Sequence, residues 1–295
     1  MFLQKFSPTL ESFNGHEVIR HLMTVDPVHL LIVGNAGTGK TTLANLIAKE
    51  LTRDDNLLRV TSIDQSIAYL RSDVKTFCTT RGAHKKVLLV DNIDTISEQC
   101  QQLILTIAAP VHFISTATSF HQVIDSIHSQ VINFTLKPFT EADLMRIMER
   151  IIVEEKLPIE PDVKGIILKY TKKSCRIMMN TLEKISLMGE FTAETVEQAC
   201  TYISNMDVVV RHILNGQLRP AIDVMISIYN DGYSIMDILD AFMDYIKISD
   251  IDQPIKYQWT KICCKYIIIF HERHEHPIEL PFFVTDLLVS LGPRT

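Results

Sequence analysis

The chain has 295 residues, 46% of them hydrophobic and 22% charged, with a formal net charge of −6. This is ordinary globular composition, long enough for two or three units with ample core. The acidic balance argues against a free-standing nucleic-acid binder that relies on bulk attraction, and the longest apolar run, residues 266–270, is far too short to span a bilayer.

The first residues carry no signal-peptide pattern, so an intracellular protein with no membrane partner is expected. Cys78, Cys100, Cys175, Cys200, Cys263 and Cys264 form no C-x-x-C pair and read as reduced, mostly buried thiols. Residues 1–27 are a lead-in broken at Pro8 and Gly15, with a short helix suggested by Val18, Ile19 and Leu22.

Residues 29–33 form an apolar run long enough for one buried strand. It enters Gly34-Asn35-Ala36-Gly37-Thr38-Gly39-Lys40-Thr41-Thr42, which contains the pattern G-x-x-x-x-G-K-[ST]. Leu43, Leu46, Ile47, Ala48 and Leu51 then recur at helical spacing, so the motif has its strand–loop–helix context. The glycines let the backbone bend tightly, and its N–H groups can cradle a phosphate at the helix N-terminus. Lys40 can place its ammonium on the β- and γ-phosphates, and the Thr41 hydroxyl can ligate Mg²⁺. ATP and Mg²⁺ are the ligands this chemistry implies.

Residues 57–62 read as a second strand, with Asp64 able to cap the helix after it. On that helix Ile67, Leu70, Val74 and Phe77 share one face, which packs on a sheet or meets a partner. Residues 87–90 are a third strand, ending in Asp91-Asn92-Ile93-Asp94. An acidic residue at the end of a buried strand downstream of a phosphate loop makes Asp91 the second metal-site residue. Ser97 stands ready to cap a helix over 98–108, and 111–116 and 130–136 supply two more strands. Five strands alternating with helices predict an α/β domain with a doubly wound parallel sheet.

After Pro138 the pattern turns helical. Thr140-Glu141-Ala142-Asp143 is a capped start, and helices follow near 160–170, 174–188 and 193–204. Five more are expected near 206–214, 218–230, 234–247, 253–273 and 282–291. Ile235, Ile238, Leu239, Phe242 and Ile246 make an apolar stripe suited to a bundle or a subunit contact. The expected division is therefore 1–137 (α/β), 138–204 (small helical module) and 205–295 (all-α).

In this arrangement the chain resembles a clamp-loader small subunit, similar to the replication factor C small subunits of the AAA+ family. The resemblance rests on Lys5-Phe6-Ser7-Pro8 in the lead-in, the phosphate loop, and residues 83–91 running into a Walker B strand. Gln101-Gln102-Leu103 and Cys175-Arg176-Ile177-Met178-Met179-Asn180-Thr181-Leu182 extend it. It implies an AAA+ nucleotide domain, a helical lid and a collar that joins a heteropentameric ring. It implies Thr118 as sensor 1 and Arg176 as sensor 2. The implied partners are other clamp-loader subunits, a sliding clamp and, through the assembly, primer–template DNA. The implied compartment is the nucleus in a eukaryote, or the cytoplasm in a bacterium or cytoplasmic virus. For the clamp it points to the 66–80 helix, with Tyr69 and Phe77 as candidate contacts.

Two departures carry chemistry. Asn92 replaces the Walker B glutamate, and a neutral amide cannot accept a proton from the attacking water. Gln130 replaces the arginine of the Ser-Arg-Cys motif that reaches a neighbour's γ-phosphate. ATP binding with weak hydrolysis is therefore expected. The alternatives are a non-hydrolysing structural subunit, an initiator or helicase-loading ATPase, and a small-molecule P-loop kinase. Arg81, His84, Lys85 and Lys86 read as a solvated loop, with contact to DNA as the alternative.

Overall fold

A computed structural model describes residues 2–6, 8–13, 16–61, 67–80, 85–171, 173–193, 195–196, 205–272 and 276–292. The expectations placed on Ser7, Gly15, Asp64, Arg81, His84, Cys200 and most of a helix over 193–204 lie outside the described residues.

Five parallel strands form one sheet: β1 (His29–Gly34), β2 (Leu57–Val60), β3 (Val87–Val90), β4 (His112–Ala117) and β5 (Ile132–Leu136), in the order β2-β3-β4-β1-β5. Alternate residues serve opposite faces, as the period-2 geometry of a strand requires. Leu31, Val33, Leu88, Val90 and Phe113 enter one apolar cluster, while Leu30, Ile32, Val87, Leu89 and Ile114 enter the other. Both faces are covered, which is why β1 and β3 read as nearly continuous apolar runs; β4 is buried throughout but includes His112, Ser115 and Thr116.

The short helices α1 (Phe2–Lys5) and α2 (His16–Leu22) precede β1. Helix α3 (Lys40–Leu51) covers the Leu30/Ile32 face with Leu43, Ala44, Ile47 and Ala48. The opposite face receives Leu70, Val74 and Cys78 of α4 (67–79), whose middle, Leu70–Val74, is π-helical, and α5 (Glu98–Ala108). Ser97 occupies the N-cap position of α5, but its side chain makes no cap hydrogen bond, contrary to the sequence reading. Helix α6 (Asp125–His128) leads into β5. The predicted second strand, over 57–62, ends at Val60, and Ser62 lies outside the described residues.

The helices that follow are α7 (Glu141–Glu155), α8 (Pro161–Tyr170), α9 (Cys175–Met188), α10 (Met206–Leu214), α11 (Leu218–Asn230), α12 (Ile235–Ile248), α13 (Gln253–Glu272) and α14 (Glu279–Ser290). Thr140 and Asp143 form a reciprocal capping box at the start of α7, and Ser234 and Asp237 do the same for α12. By its own contacts the chain falls into two compact units: residues 1–159 with 171–189, and residues 160–170 with 190–295. Helices α7 and α9 thus belong with the sheet.

In the second unit Trp259, Phe242, Phe283 and Tyr266 centre the core of a helical bundle. Phe242 meets Phe283 edge-on at 5.2 Å and Trp259 at 5.8 Å. The Ile235/Ile238/Leu239/Phe242/Ile246 stripe is spent inside this bundle, with every member at most 2% exposed. Among the described residues no helix is long and apolar enough to cross a membrane.

Candidate nucleotide site

The strand order places β1 between β4 and β5: the connection out of β1 runs toward the β2 edge, and the connection out of β4 crosses to β5 at the other edge. A crevice for ligands forms at the carboxyl ends of the strands at such a point. The loop after β1 occupies it. Gly37 and Gly39 take left-handed backbone (φ 78° and 91°), the conformation an L side chain resists. Gly34 is needed for space instead: a Cβ there would stand 2.9 Å from the Leu136 carbonyl oxygen on β5.

Within the loop, Thr38 Oγ1 donates to Asn35 O (2.8 Å), and Lys40 Nζ donates to Gly34 O (2.8 Å) and Asn35 O (2.9 Å). Asn35 and Ala36 are exposed at the tip, while Thr38 and Lys40 are buried; Thr41 and Thr42 begin α3 half-buried. Burial pulls the Lys40 pKa below the ordinary lysine value; the carboxylates of Asp94 and Asp91 oppose this, and the Arg176 guanidinium reinforces it. Two cations and two carboxylates therefore share the space around the loop.

Asp91 follows β3 directly. Its Oδ1 accepts from Thr41 Oγ1 at 2.9 Å and from Thr116 Oγ1 at 2.6 Å. A hydroxyl and a carboxylate meeting at the mouth of a phosphate loop are hard oxygen donors of the kind Mg²⁺ takes. Asn92 adopts left-handed backbone (φ 52°, ψ 56°), a region that asparagine tolerates better than most residues. Its N–H donates to Thr116 Oγ1 (2.9 Å), and its side chain is a neutral amide.

Thr118 lies just past β4 with its side chain exposed. Its N–H and that of Ser119 both donate to Asp94 Oδ2, at 2.9 and 2.8 Å. Asp94 Oδ1 is buried with no hydrogen-bond partner among the described residues.

Arg176 is the second residue of α9, and it is brought to the loop by an intimate contact. A Cβ built on Gly37 would fall 1.9 Å from Ser174 Oγ and 3.5 Å from Arg176 Cβ. Ser174 caps α9, accepting from Ile177 N–H at 3.4 Å. Gln130 is elsewhere: β5 runs parallel to β1 with Ile132 opposite Leu30, so Gln130 stands, exposed, at the start of the strands rather than at their loop-bearing ends.

The structure thus gathers Gly34 to Thr42, Asp91, Asn92 and Arg176 around one loop and leaves Gln130 apart. Sequence reasoning missed Thr116, Asp94 and Ser174. A hydroxyl at the end of the predicted 111–116 strand was the available signal for Thr116, and a serine opening a helix was the signal for Ser174.

Residues 30–135 match the family model described as "ATPase family associated with various cellular activities (AAA)". The chain is 26% identical to the putative replication factor C small subunit R395 of Acanthamoeba polyphaga mimivirus over 248 residues, 80% of this chain and 78% of that one. It is 26% identical to the replication factor C small subunit of Haloarcula marismortui over 274 residues, 85% and 84% of the two chains. Among solved structures, the Thermotoga maritima RuvB Holliday junction branch migration motor superposes with a TM-score of 0.51 at 18% identity, over 72% of this chain and 80% of that one, a likeness of fold alone. Residues 30–135 thus match the AAA family model, and over about four-fifths of its length the chain is similar to replication factor C small subunits.

Proposed function

We propose that this chain is a clamp-loader subunit that binds ATP with Mg²⁺ and turns it over slowly in its own site. The observation that carries the reading is the meeting of Thr41 with Asp91 beside a loop whose lysine is already folded into it. In this reading the backbone of residues 34–42 cradles the phosphates, and Lys40 exchanges its loop carbonyls for phosphate oxygens. Thr41 and Asp91 hold Mg²⁺, which supplies charge neutralisation when bound. Thr118 and Arg176 face the γ-phosphate region as sensors 1 and 2.

Asn92 supports the slow turnover. Its amide can orient a water through a hydrogen bond but cannot take the proton that attack on phosphorus releases. Gln130 lacks the charge of an arginine finger, a contribution of about 10³–10⁵ in rate where one is present. Such a subunit suits a ring position where ATP is structural, or a ring end with no neighbouring site to complete. The three-part division at about residues 137 and 204 belongs to the same proposal, with the last helices as collar in a heteropentamer that acts on a sliding clamp and primer–template DNA.

The clamp contact is assigned to α4. Tyr69 and Phe77 are half-buried against the sheet core, and Ile67 is 40% exposed on the same helix. Loss of clamp binding in Phe77→Ala with nucleotide affinity unchanged supports this; no change in either removes it.

The second reading, a nucleotide-stabilised scaffold without turnover, is favoured by the Asn92 and Gln130 departures. An initiator or helicase loader with a β-hairpin DNA reader is disfavoured, because the described residues from 205 onward are helical. The test is steady-state ATP hydrolysis by the full chain and by Lys40→Ala. Weak or absent turnover with Lys40-dependent nucleotide uptake supports the proposal; turnover at a normal clamp-loader rate, abolished by Lys40→Ala, overturns the slow-site reading. A heteropentameric native mass supports the assembly, and a hexamer or monomer contradicts it.

A further inference from the structure

We infer that Thr116 is a positioning residue for the metal-binding carboxylate, holding Asp91 and the Asn92 backbone in register independently of the side chain at position 92. The inference rests on the nucleotide reading above and adds a residue to it.

Thr116 is fully buried near the end of β4. A buried hydroxyl there needs partners, and the adjacent Ser115 finds one in ordinary fashion, donating to the Leu30 carbonyl of the next strand at 3.3 Å. Thr116 instead uses its hydroxyl twice at the Asp91–Asn92 turn. A hydroxyl has one proton and two lone pairs. The proton goes to Asp91 Oδ1 (2.6 Å), and a lone pair receives the Asn92 N–H (2.9 Å). A single side chain therefore fixes the carboxylate rotamer and pins the left-handed turn that follows it.

Asp91 Oδ1 has a second donor in Thr41, but Thr41 belongs to the loop–helix junction and is half-buried. Its oxygen is the one that would serve a cation. Thr116 carries no such second duty, and its bond to Asp91 can persist while Thr41 reorients. Partners that orient a metal-binding carboxylate without touching the ion typically account for about 10–100-fold in metal affinity.

The β3–β4 register creates this arrangement. Val90 lies opposite Ser115, so the next residues, Asp91 and Thr116, meet where the two strands end. Because the main chain at 92 is anchored through its N–H, the metal half of the site survives replacement of the side chain at that position. The structure thus separates holding a metal from activating water.

The experiment is calorimetric titration of the full chain with a slowly hydrolysable ATP analogue, in Mg²⁺ and in EDTA, reading the ratio of the two dissociation constants. Thr116→Val should shrink that ratio about tenfold or more with the EDTA affinity unchanged, and Thr116→Ser should restore most of it. Thr116→Ala carries the same expectation should valine prevent folding. On an Asp91→Asn background the threonine substitution should have no further effect. An unchanged ratio in the valine and alanine variants, or equal weakening with and without Mg²⁺, overturns the inference while leaving the nucleotide reading intact. A wild-type chain that takes up no analogue sinks both, and the failure is recognisable because it appears before any substitution.

Discussion

Ser174 Oγ lies so close to Gly37 that a Cβ on the glycine would stand 1.9 Å from it. The first turn of α9 is thereby seated on the phosphate loop, and Arg176 is delivered to the same place as Lys40. Gly37→Ala meets two obstacles: the left-handed backbone, about 1–2 kcal/mol for an L side chain, and the collision with Ser174. Urea denaturation should show at least that loss, with nucleotide affinity reduced as α9 is pushed away. Adding Ser174→Gly should recover the steric part only, since glycine keeps most of the cap's worth. Gly37→Ala with unchanged stability and affinity would mean that the contact is not a constraint.

Asn92 invites a gain-of-function substitution. Its backbone is held by Thr116, so Asn92→Glu would present a carboxylate from a main chain already in place. ATP turnover should rise by roughly 10²-fold or more if a missing proton acceptor is what limits it. The left-handed φ of 52° suits glutamate less than asparagine, so the melting temperature should fall. Unchanged turnover with intact nucleotide binding would move the defect elsewhere in the site.

Buried His112 at the start of β4 gives the α/β unit a pH dependence. Its Nδ1 accepts from Val28 N–H at 3.0 Å, and its Nε2 lies 3.5 Å from Asp26, which also pairs with Lys85. Burial pushes the His112 pKa below its usual 6.5; Asp26 partly offsets this, and Lys85 and His29 add to it. The folded chain therefore binds the proton less readily than the unfolded chain. This contribution to stability is full above about pH 6.5 and is lost as pH falls below it. His112→Asn keeps an acceptor for Val28 and should flatten that part of the curve, measured by urea midpoints at about pH 7.5 and 5.5. An identical pH slope in the variant would show that His112 does not contribute.

The helical unit should depend steeply on Phe242, which is fully buried between Trp259 and Phe283. Phe242→Ala should cost about 3–5 kcal/mol by the transfer and cavity terms. Nucleotide affinity of the full chain should stay near wild type where both units remain folded. A cost below about 1 kcal/mol would show that the bundle relaxes around the gap.

What was legible in the sequence was local. The phosphate loop declares itself because its chemistry needs glycines, a lysine and a threonine at fixed offsets between a strand and a helix, all within nine residues. Strands β1 and β3 were legible because burial on both faces makes them almost wholly apolar. Asp91 followed from its place at the end of such a strand. Thr116 did not, because its role depends on the register between β3 and β4, which pairs residues 25 positions apart. Ser174 was hidden for the same reason, since its approach to Gly37 spans most of the α/β unit. Ser97 shows the converse: the right residue type at an N-cap position whose side chain makes no cap bond.

The central claim is that the loop of residues 34–42 grips a triphosphate while Asn92 leaves its cleavage largely unassisted. Calorimetric titration of the full chain with a slowly hydrolysable ATP analogue in Mg²⁺ tests it most directly. One analogue per chain, with uptake abolished in Lys40→Ala, is the expected result. No uptake, even with partner subunits present, would contradict it.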